Sequence, residues 1–345
     1  MKKISRRAFL PIAGLAPLSI PLMSNDMKEE EKTEVFHEIL PNVLKKGDMV
    51  GVCAPAGCIS DPSEVKDFAQ ALRSMGFNVR LGKNVSSKYG YFSAPDKERA
   101  EEFMDLISDK EVKAIFTIRG GWGCARILDL IDFNVIRENP KIIMGFSDIT
   151  TLLNVITSRT GLVTFHGPGG NSTWNKRTLN YFESVIMKGE RVSLSNIENE
   201  DQKVIVHSEG RASGHLYGGN LTVISSLIGS GYLPDFRGKI LFLEDVKEEP
   251  YRIDRMLTQL KLAGVFNKVD GIALGVFRDC IAEEPNRAFT LEEVFDQHFK
   301  DIGIPVMSGL QFGHVKTKFI LPIGVEAEIS TSSKVIQMLG SAALK

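Results

Sequence analysis

Short apolar runs alternate with amphipathic segments along the first half of the chain. Gly47 to Gly57 reads as a buried strand entering a tight loop, with further strands at Phe77 to Leu81, Val112 to Ile118, Ile142 to Met144 and Leu162 to Phe165. Between them, Asp61-Pro62 opens a helix that runs to about Met75 and ends at Gly76. Asp96 to Ser108 is a charged amphipathic helix, and Cys124 to Ile131 predicts another. After Met144 the pattern changes within four residues. Gly145-Phe-Ser-Asp148 leads into Ile149, Leu152, Leu153 and Ile156 at helical spacing, so a strand turns sharply into a helix with Ser147 at the corner. Strands and helices joined by short loops predict an α/β fold, a mainly parallel sheet covered on both faces. Its active crevice belongs at the carboxyl ends of the strands, where the Pro55–Gly57 loop, the Arg119–Gly123 loop and Ser147 all fall.

The second half is patterned differently. Val192 to Val206 is polar and reads as a link. Gly210 to Gly219 is glycine-rich, and Asn220 to Ile228 is helical. Lys239-Ile-Leu-Phe-Leu243 is a buried strand that ends at Glu244. Tyr251 to Leu262 carries Ile253, Met256, Leu257 and Leu260 on one face. A strand at Gly271 to Phe277, a helix at Thr290 to Phe299 and β-type alternation from Ile320 to Leu339 complete the pattern. The expected division is a leader and linker at 1–34, a first α/β domain at 35–190, a link at 191–209 and a smaller, strand-richer α/β domain at 210–345.

Composition adds little to this except at the start. With 345 residues, 43% hydrophobic and 25% charged, the chain has room for two ordinary globular domains. A formal net charge of -1 and the lack of a basic tract exclude a nucleic-acid-binding reading. No apolar run reaches the roughly 18 residues of a spanning helix, so no stable membrane anchor is expected. Ser5-Arg6-Arg7-Ala8-Phe9-Leu10, followed by an uncharged run broken by Pro11, Pro17 and Pro21, resembles a twin-arginine export signal. That predicts an exported, periplasmic protein, with a cytoplasmic one as the alternative. Cys53, Cys58, Cys124 and Cys280 match no zinc-site spacing and are expected mostly as packed, unpaired thiols. Neither a metal nor a cofactor is expected.

A serine at a strand–helix corner exposes its hydroxyl beside the free N–H groups and positive end of the helix, which suits a nucleophile. Serine is equally a favoured helix cap, and this stretch alone leaves both readings open. Three histidines, His166, His215 and His314, lie on strand-end or glycine-rich segments. His37, His207 and His298 read as surface residues. Glu244, at the carboxyl end of a buried strand, is placed to orient an imidazole or to pair with Lys247, Arg252 or Arg255. Asp148 suits the start of the helix and offers a backbone N–H to an oxyanion. Arg119-Gly-Gly-Trp-Gly123 suits phosphate, an oxyanion or a substrate carboxylate, although it matches neither common phosphate-loop fingerprint.

Together, Gly145-Phe-Ser-Asp-Ile-Thr150, Arg119-Gly-Gly-Trp-Gly123, Leu243-Glu-Asp245 with Tyr251-Arg-Ile-Asp-Arg-Met256, and Gly313-His314 resemble the LD-carboxypeptidase family of serine peptidases. That family includes muramoyltetrapeptide carboxypeptidases and microcin C immunity peptidases, and the resemblance runs from about Gly47 to the C-terminus. It implies a Rossmann-like first domain carrying the nucleophile Ser147 and a β-rich second domain carrying the acid Glu244 and the base His314. It also implies an oxyanion hole of backbone N–H groups at Asp148 and Gly121, and a homodimer. The implied reaction releases the terminal D-alanine of murein tetrapeptides, a small muropeptide substrate whose carboxylate Arg119 is expected to hold. The alternatives are cleavage of aminoacyl or peptidyl nucleotides, or muropeptide binding without catalysis. Ile149 departs from the Gly-x-Ser-x-Gly elbow of lipases and esterases, which makes those activities poor fits.

Overall fold

A computed structural model describes residues 37–196 and 203–345. The leader and linker expected at 1–34 lie outside the described residues, as does part of the expected 191–209 link.

In the first half, β1 (Met49–Cys53), α1 (Ser63–Ser74), β2 (Asn78–Leu81), α2 (Asp96–Ser108), β3 (Val112–Thr117), α3 (Phe133–Glu138), β4 (Ile142–Gly145), α4 (Thr150–Thr160), β5 (Thr164–His166) and α5 (Lys176–Phe182) follow in order. The second half continues with β6 (Ser193–Ser195), β7 (Ile205–Ser208), β8 (Arg211–Asn220), α6 (Leu221–Ser226), β9 (Lys239–Val246), α7 (Pro250–Leu262), β10 (Gly271–Arg278), α8 (Leu291–Phe299), β11 (Val306–Gly313), β12 (Leu321–Ile323), β13 (Glu326–Ser330) and β14 (Val335–Met338).

Two sheets result. The first has the order β12-β5-β4-β3-β1-β2, parallel throughout except for β12. Val50, Val52, Ala114, Phe116, Ile142 and Met144 line one face in a core with Phe68, Leu72 and Phe182, and Ile115 and Ile143 on the other face are buried too, as a sheet covered on both faces requires. Strand order reverses between β1 and β3, so their carboxyl ends open a crevice at a topological switch point. The second sheet has the order β6-β14-β13-β8-β9-β10-β11-β7, with a parallel centre, β8 to β11, and antiparallel flanks. The architecture is the expected α/β pair, a parallel-sheet first half and a strand-rich second half.

Several local expectations change. Cys124–Leu130 is a 3-10 helix rather than an α-helix. Its first N–H donates to the Asp148 carboxylate at 2.8 Å, which ties the turn to the Ser147 corner. The short helices α3 and α5 were not anticipated, although Asp132 and Asn175 cap them through side-chain acceptors. The expected link 191–209 contributes β6 and β7, the two edge strands of the second sheet. The glycine-rich Gly210–Gly219 stretch forms most of β8. Side chains at Gly218 and Gly219 would collide with the Phe242 carbonyl of β9 and with Thr150 of α4. Glycine therefore lets this central strand lie against both neighbours. The chain also returns to the first sheet from far along the sequence, because Leu321–Ile323 forms its β12 edge. His207 and His298 are not surface side chains. His207 is buried between Asp296 and Ser308, at 2.7 and 2.8 Å, and His298 bonds Asp254 at 2.8 Å. All four cysteines are free thiols.

Candidate active site

The corner between β4 and α4 is strained. Ser147 has a φ of +64°, in the left-handed region that side chains with a Cβ rarely adopt. Such a residue costs on the order of 1–3 kcal/mol and persists only where its surroundings enforce it. Gly120 supplies part of that enforcement. A Cβ there would lie 2.7 Å from the Ser147 Cβ and 3.1 Å from the Asp148 backbone nitrogen. The glycine loop thus lies directly against the serine and the first amide of the following turn. Gly120 makes this contact, while Gly121, which follows it, packs on Gly57. The Gly57 N–H donates to the Gly120 carbonyl at 3.0 Å, joining the loops after β1 and β3. Among the described residues, no side chain caps either helix that starts at this corner, so the capping reading of Ser147 loses its support.

The second sheet delivers an acid and an imidazole to the same place. Glu244 is fully buried near the end of β9, and its Oε2 lies 2.7 Å from His314 Nδ1. Gly313, with a φ of +93°, passes so close to Glu244 that any Cβ would strike the carboxylate. Burial by itself would raise the Glu244 carboxyl, but His166 and His314 outweigh it and hold the group well below the usual carboxylate range. With Nδ1 donating to the carboxylate, the His314 ring is left with Nε2 as its free base. The ring packs against Phe146, the residue before Ser147, with centroids 4.9 Å apart. It is partly open, at 18% side-chain exposure.

Docking of α4 on β8 joins the two halves. Asn154 donates to the Gly218 carbonyl at 2.7 Å and accepts from the Gly218 N–H at 3.0 Å, and Thr150 accepts from the Asn220 N–H at 3.0 Å. The helix that begins beside the serine is therefore pinned to the strand next to the one bearing the acid. Asp245 serves this frame, accepting from the Asn220 side chain and from Thr222. Burial and the neighbouring Glu244 push its carboxyl up to about 6.

The structure brings Ser147, Asp148, Glu244 and His314 to one region, with the Gly120–Gly121 loop beside the serine. Arg119, expected to hold a substrate carboxylate, lies on the glycine loop after β3. Its guanidinium donates to the Cys58 carbonyl at 2.8 Å and meets Ser60 Oγ at 3.3 Å, bracing the loop after β1. Sequence reasoning missed Lys318, whose ammonium lies 4.0 Å above the Phe146 ring and 3.3 Å from Ser172 Oγ. Burial lowers this lysine to about 8, with Glu244 pulling the other way. Below pH 8 the lysine is charged in both folded and unfolded chains, so the folded state bears the full burial penalty. Between pH 8 and its ordinary value near 10.4, only the unfolded chain keeps the proton, and wild-type stability rises with pH. Lys318→Met is expected to raise stability at pH 7 by about 1–3 kcal/mol, after loss of the cation–π contact. The gain should shrink through pH 8–10 and vanish near pH 10.5. Thermal melts across that range check it, and a pH-independent difference would contradict it.

A strained serine over a parallel-sheet crevice, faced by a buried carboxylate and its partly open imidazole from the second half, defines a serine hydrolase of two-domain α/β type. Family models fit both halves: the LD-carboxypeptidase N-terminal domain matches residues 50–167 and the LD-carboxypeptidase C-terminal domain residues 213–329. The chain belongs to the LD-carboxypeptidase family and is a serine-type carboxypeptidase. It is 37% identical to the probable murein peptide carboxypeptidase of Bacillus subtilis (strain 168) over 299 residues, covering 85% of this chain and 92% of that one. Among solved structures, the microcin C7 self-immunity protein MccF in its apo state superposes with a TM-score of 0.81 at 26% identity, covering 89% of this chain and all of that one. The muramoyltetrapeptide carboxypeptidase from Oxalobacter formigenes superposes with a TM-score of 0.74 at 29% identity, covering 86% of this chain and all of that one.

Proposed function

We propose that this protein releases the terminal D-alanine of murein tetrapeptides through Ser147, His314 and Glu244. The observation that carries the reading is the 2.7 Å contact between the buried Glu244 and the partly open His314, presented against the corner that holds Ser147 in a strained conformation. The names of two relatives, a probable murein peptide carboxypeptidase and a muramoyltetrapeptide carboxypeptidase, support that substrate. In this mechanism His314 Nε2 takes the Ser147 proton as Oγ attacks the scissile carbonyl. Backbone N–H groups of Asp148 and the Gly120–Gly121 loop hold the oxyanion. Collapse of the tetrahedral intermediate breaks the C–N bond, and the imidazolium gives its proton to the leaving amine of D-alanine. Water, deprotonated by the same nitrogen, then cleaves the acyl-enzyme and restores the serine. Glu244 stays ionised throughout and stabilises the imidazolium.

A second reading, cleavage of aminoacyl or peptidyl nucleotides, draws on the likeness to MccF, which has also been solved in complex with aspartyl sulfamoyl adenosine. Incubating the purified protein in parallel with disaccharide-tetrapeptide and with an aminoacyl sulfamoyl adenosine separates the two. D-Alanine release with an intact nucleotide analogue is the expected result; the converse would replace the proposal with the second reading. The basic Ser5–Leu10 segment supports export to a compartment where murein lies, which a fusion of residues 1–34 to a reporter would test.

A further inference from the structure

Glu244 uses only half of its carboxylate on His314. Oε2 accepts from that ring, while Oε1 is fully buried and has no hydrogen-bond partner among the described residues. Facing Oε1, 3.9 Å away, is Nε2 of His166. This histidine is 1% exposed, and among the described residues neither of its ring nitrogens has a hydrogen-bond partner. Its ring is walled by Phe146, Phe242 and Phe312, with centroids 6.4, 5.4 and 6.4 Å away. A buried carboxylate oxygen and a buried imidazole each cost free energy when unpaired, and each is the complement of the other. The gap exceeds a hydrogen bond by about 1 Å, and catalytic hydrogen bonds in substrate-free enzymes often tighten only when substrate binds.

We propose that His166 is a positioning residue for the triad: its Nε2–H donates to Glu244 Oε1 in the substrate-bound enzyme, so that a histidine from each sheet grips the acid. The fold supports this division. His166 ends β5, pairs with Gly145 of β4 and with Leu321 of β12, and so belongs to the sheet that carries the Ser147 corner. Glu244 lies in the other sheet, and His314 directly follows its strand β11. A contact from His166 to Glu244 couples the seating of the two sheets to the orientation of the carboxylate, and through it to the direction of His314 Nε2. The other charged or titratable groups around Glu244 are Asp245, Cys280 and Lys318, and none of them bonds Oε1.

This inference rests on the Ser147–His314–Glu244 reading, and the test separates the two. The amide nitrogen of glutamine reaches the position of a histidine Nε2, whereas that of asparagine stops near Nδ1. In His166→Gln, kcat should stay within about threefold of wild type. In His166→Asn, kcat should fall about 10–100-fold, the worth of one hydrogen bond to a charged group, with KM nearly unchanged. The acid limb of the kcat profile should also move upward by about half a pH unit or more in His166→Asn, because the full carboxylate charge then falls on the His314 side. In a Glu244→Gln background the difference between the two variants should disappear. Equal kcat and equal limbs for the Gln and Asn variants would overturn the proposal, whether both match wild type or both lose activity alike. Failure of the underlying triad reading looks different, since Ser147→Ala and Glu244→Gln would then remain active.

Discussion

Ser147→Ala is expected to lower the rate of D-alanine release by about 10⁴–10⁶-fold, leaving KM close to wild type. The substitution removes the attacking oxygen and nothing that holds the substrate, so the loss belongs in kcat. Stability should change little, because alanine inherits the φ of +64° and its strain. Ser147→Gly removes the oxygen and the strain together, and its melting temperature should rise above that of Ser147→Ala by several degrees, since left-handed backbone is natural for glycine. Steady-state assays with disaccharide-tetrapeptide and parallel thermal melts read both effects. Retention of more than a tenth of wild-type activity by Ser147→Ala would remove the serine from the mechanism.

Glu244→Gln is expected to cost about 10³–10⁴-fold in kcat, because an amide neither fixes the Nδ1–H tautomer of His314 nor stabilises its imidazolium. Gln preserves the shape of a fully buried side chain packed under Gly313, so the fold should survive. Glu244→Ala, by contrast, leaves a void below His314 and should lower the melting temperature as well. A Gln variant within tenfold of wild type would mean that the 2.7 Å contact is structural only.

How far the sequence reveals this site depends on how local each signal is. The Ser147 corner was legible because an apolar run, a Gly-Phe-Ser-Asp turn and a helical stripe follow one another within about fifteen positions. Glu244 was legible because four apolar residues lead directly into it. His314 was not singled out by its own surroundings. Glycine-flanked and strand-end histidines occur three times, and the resemblance to a family chose among them. His166 and Lys318 were legible as residues but not as parts of the site. Glu244, which faces His166, and Phe146, which faces Lys318, lie far from them in sequence, and only the packing of the fold brings them near. The fold follows the same rule. The apolar strands β1, β3, β4 and β9 were read directly, while β8 was hidden by the glycines that let it lie between β9 and α4. At three residues, β12 is too short for its own periodicity to show where it docks.

The late return of Leu321–Ile323 also sets a timetable for biosynthesis. The outer edge of β5 has no covering strand until the ribosome has made nearly the whole polypeptide, roughly ten to thirty seconds after His166 is added. Throughout that interval the nascent first half presents an open row of backbone donors and acceptors, the kind of edge that recruits stray strands. A fragment ending before residue 320 is therefore expected to aggregate on expression. Supplying the missing C-terminal piece as a separate chain should rescue it, a complementation readable by solubility alone.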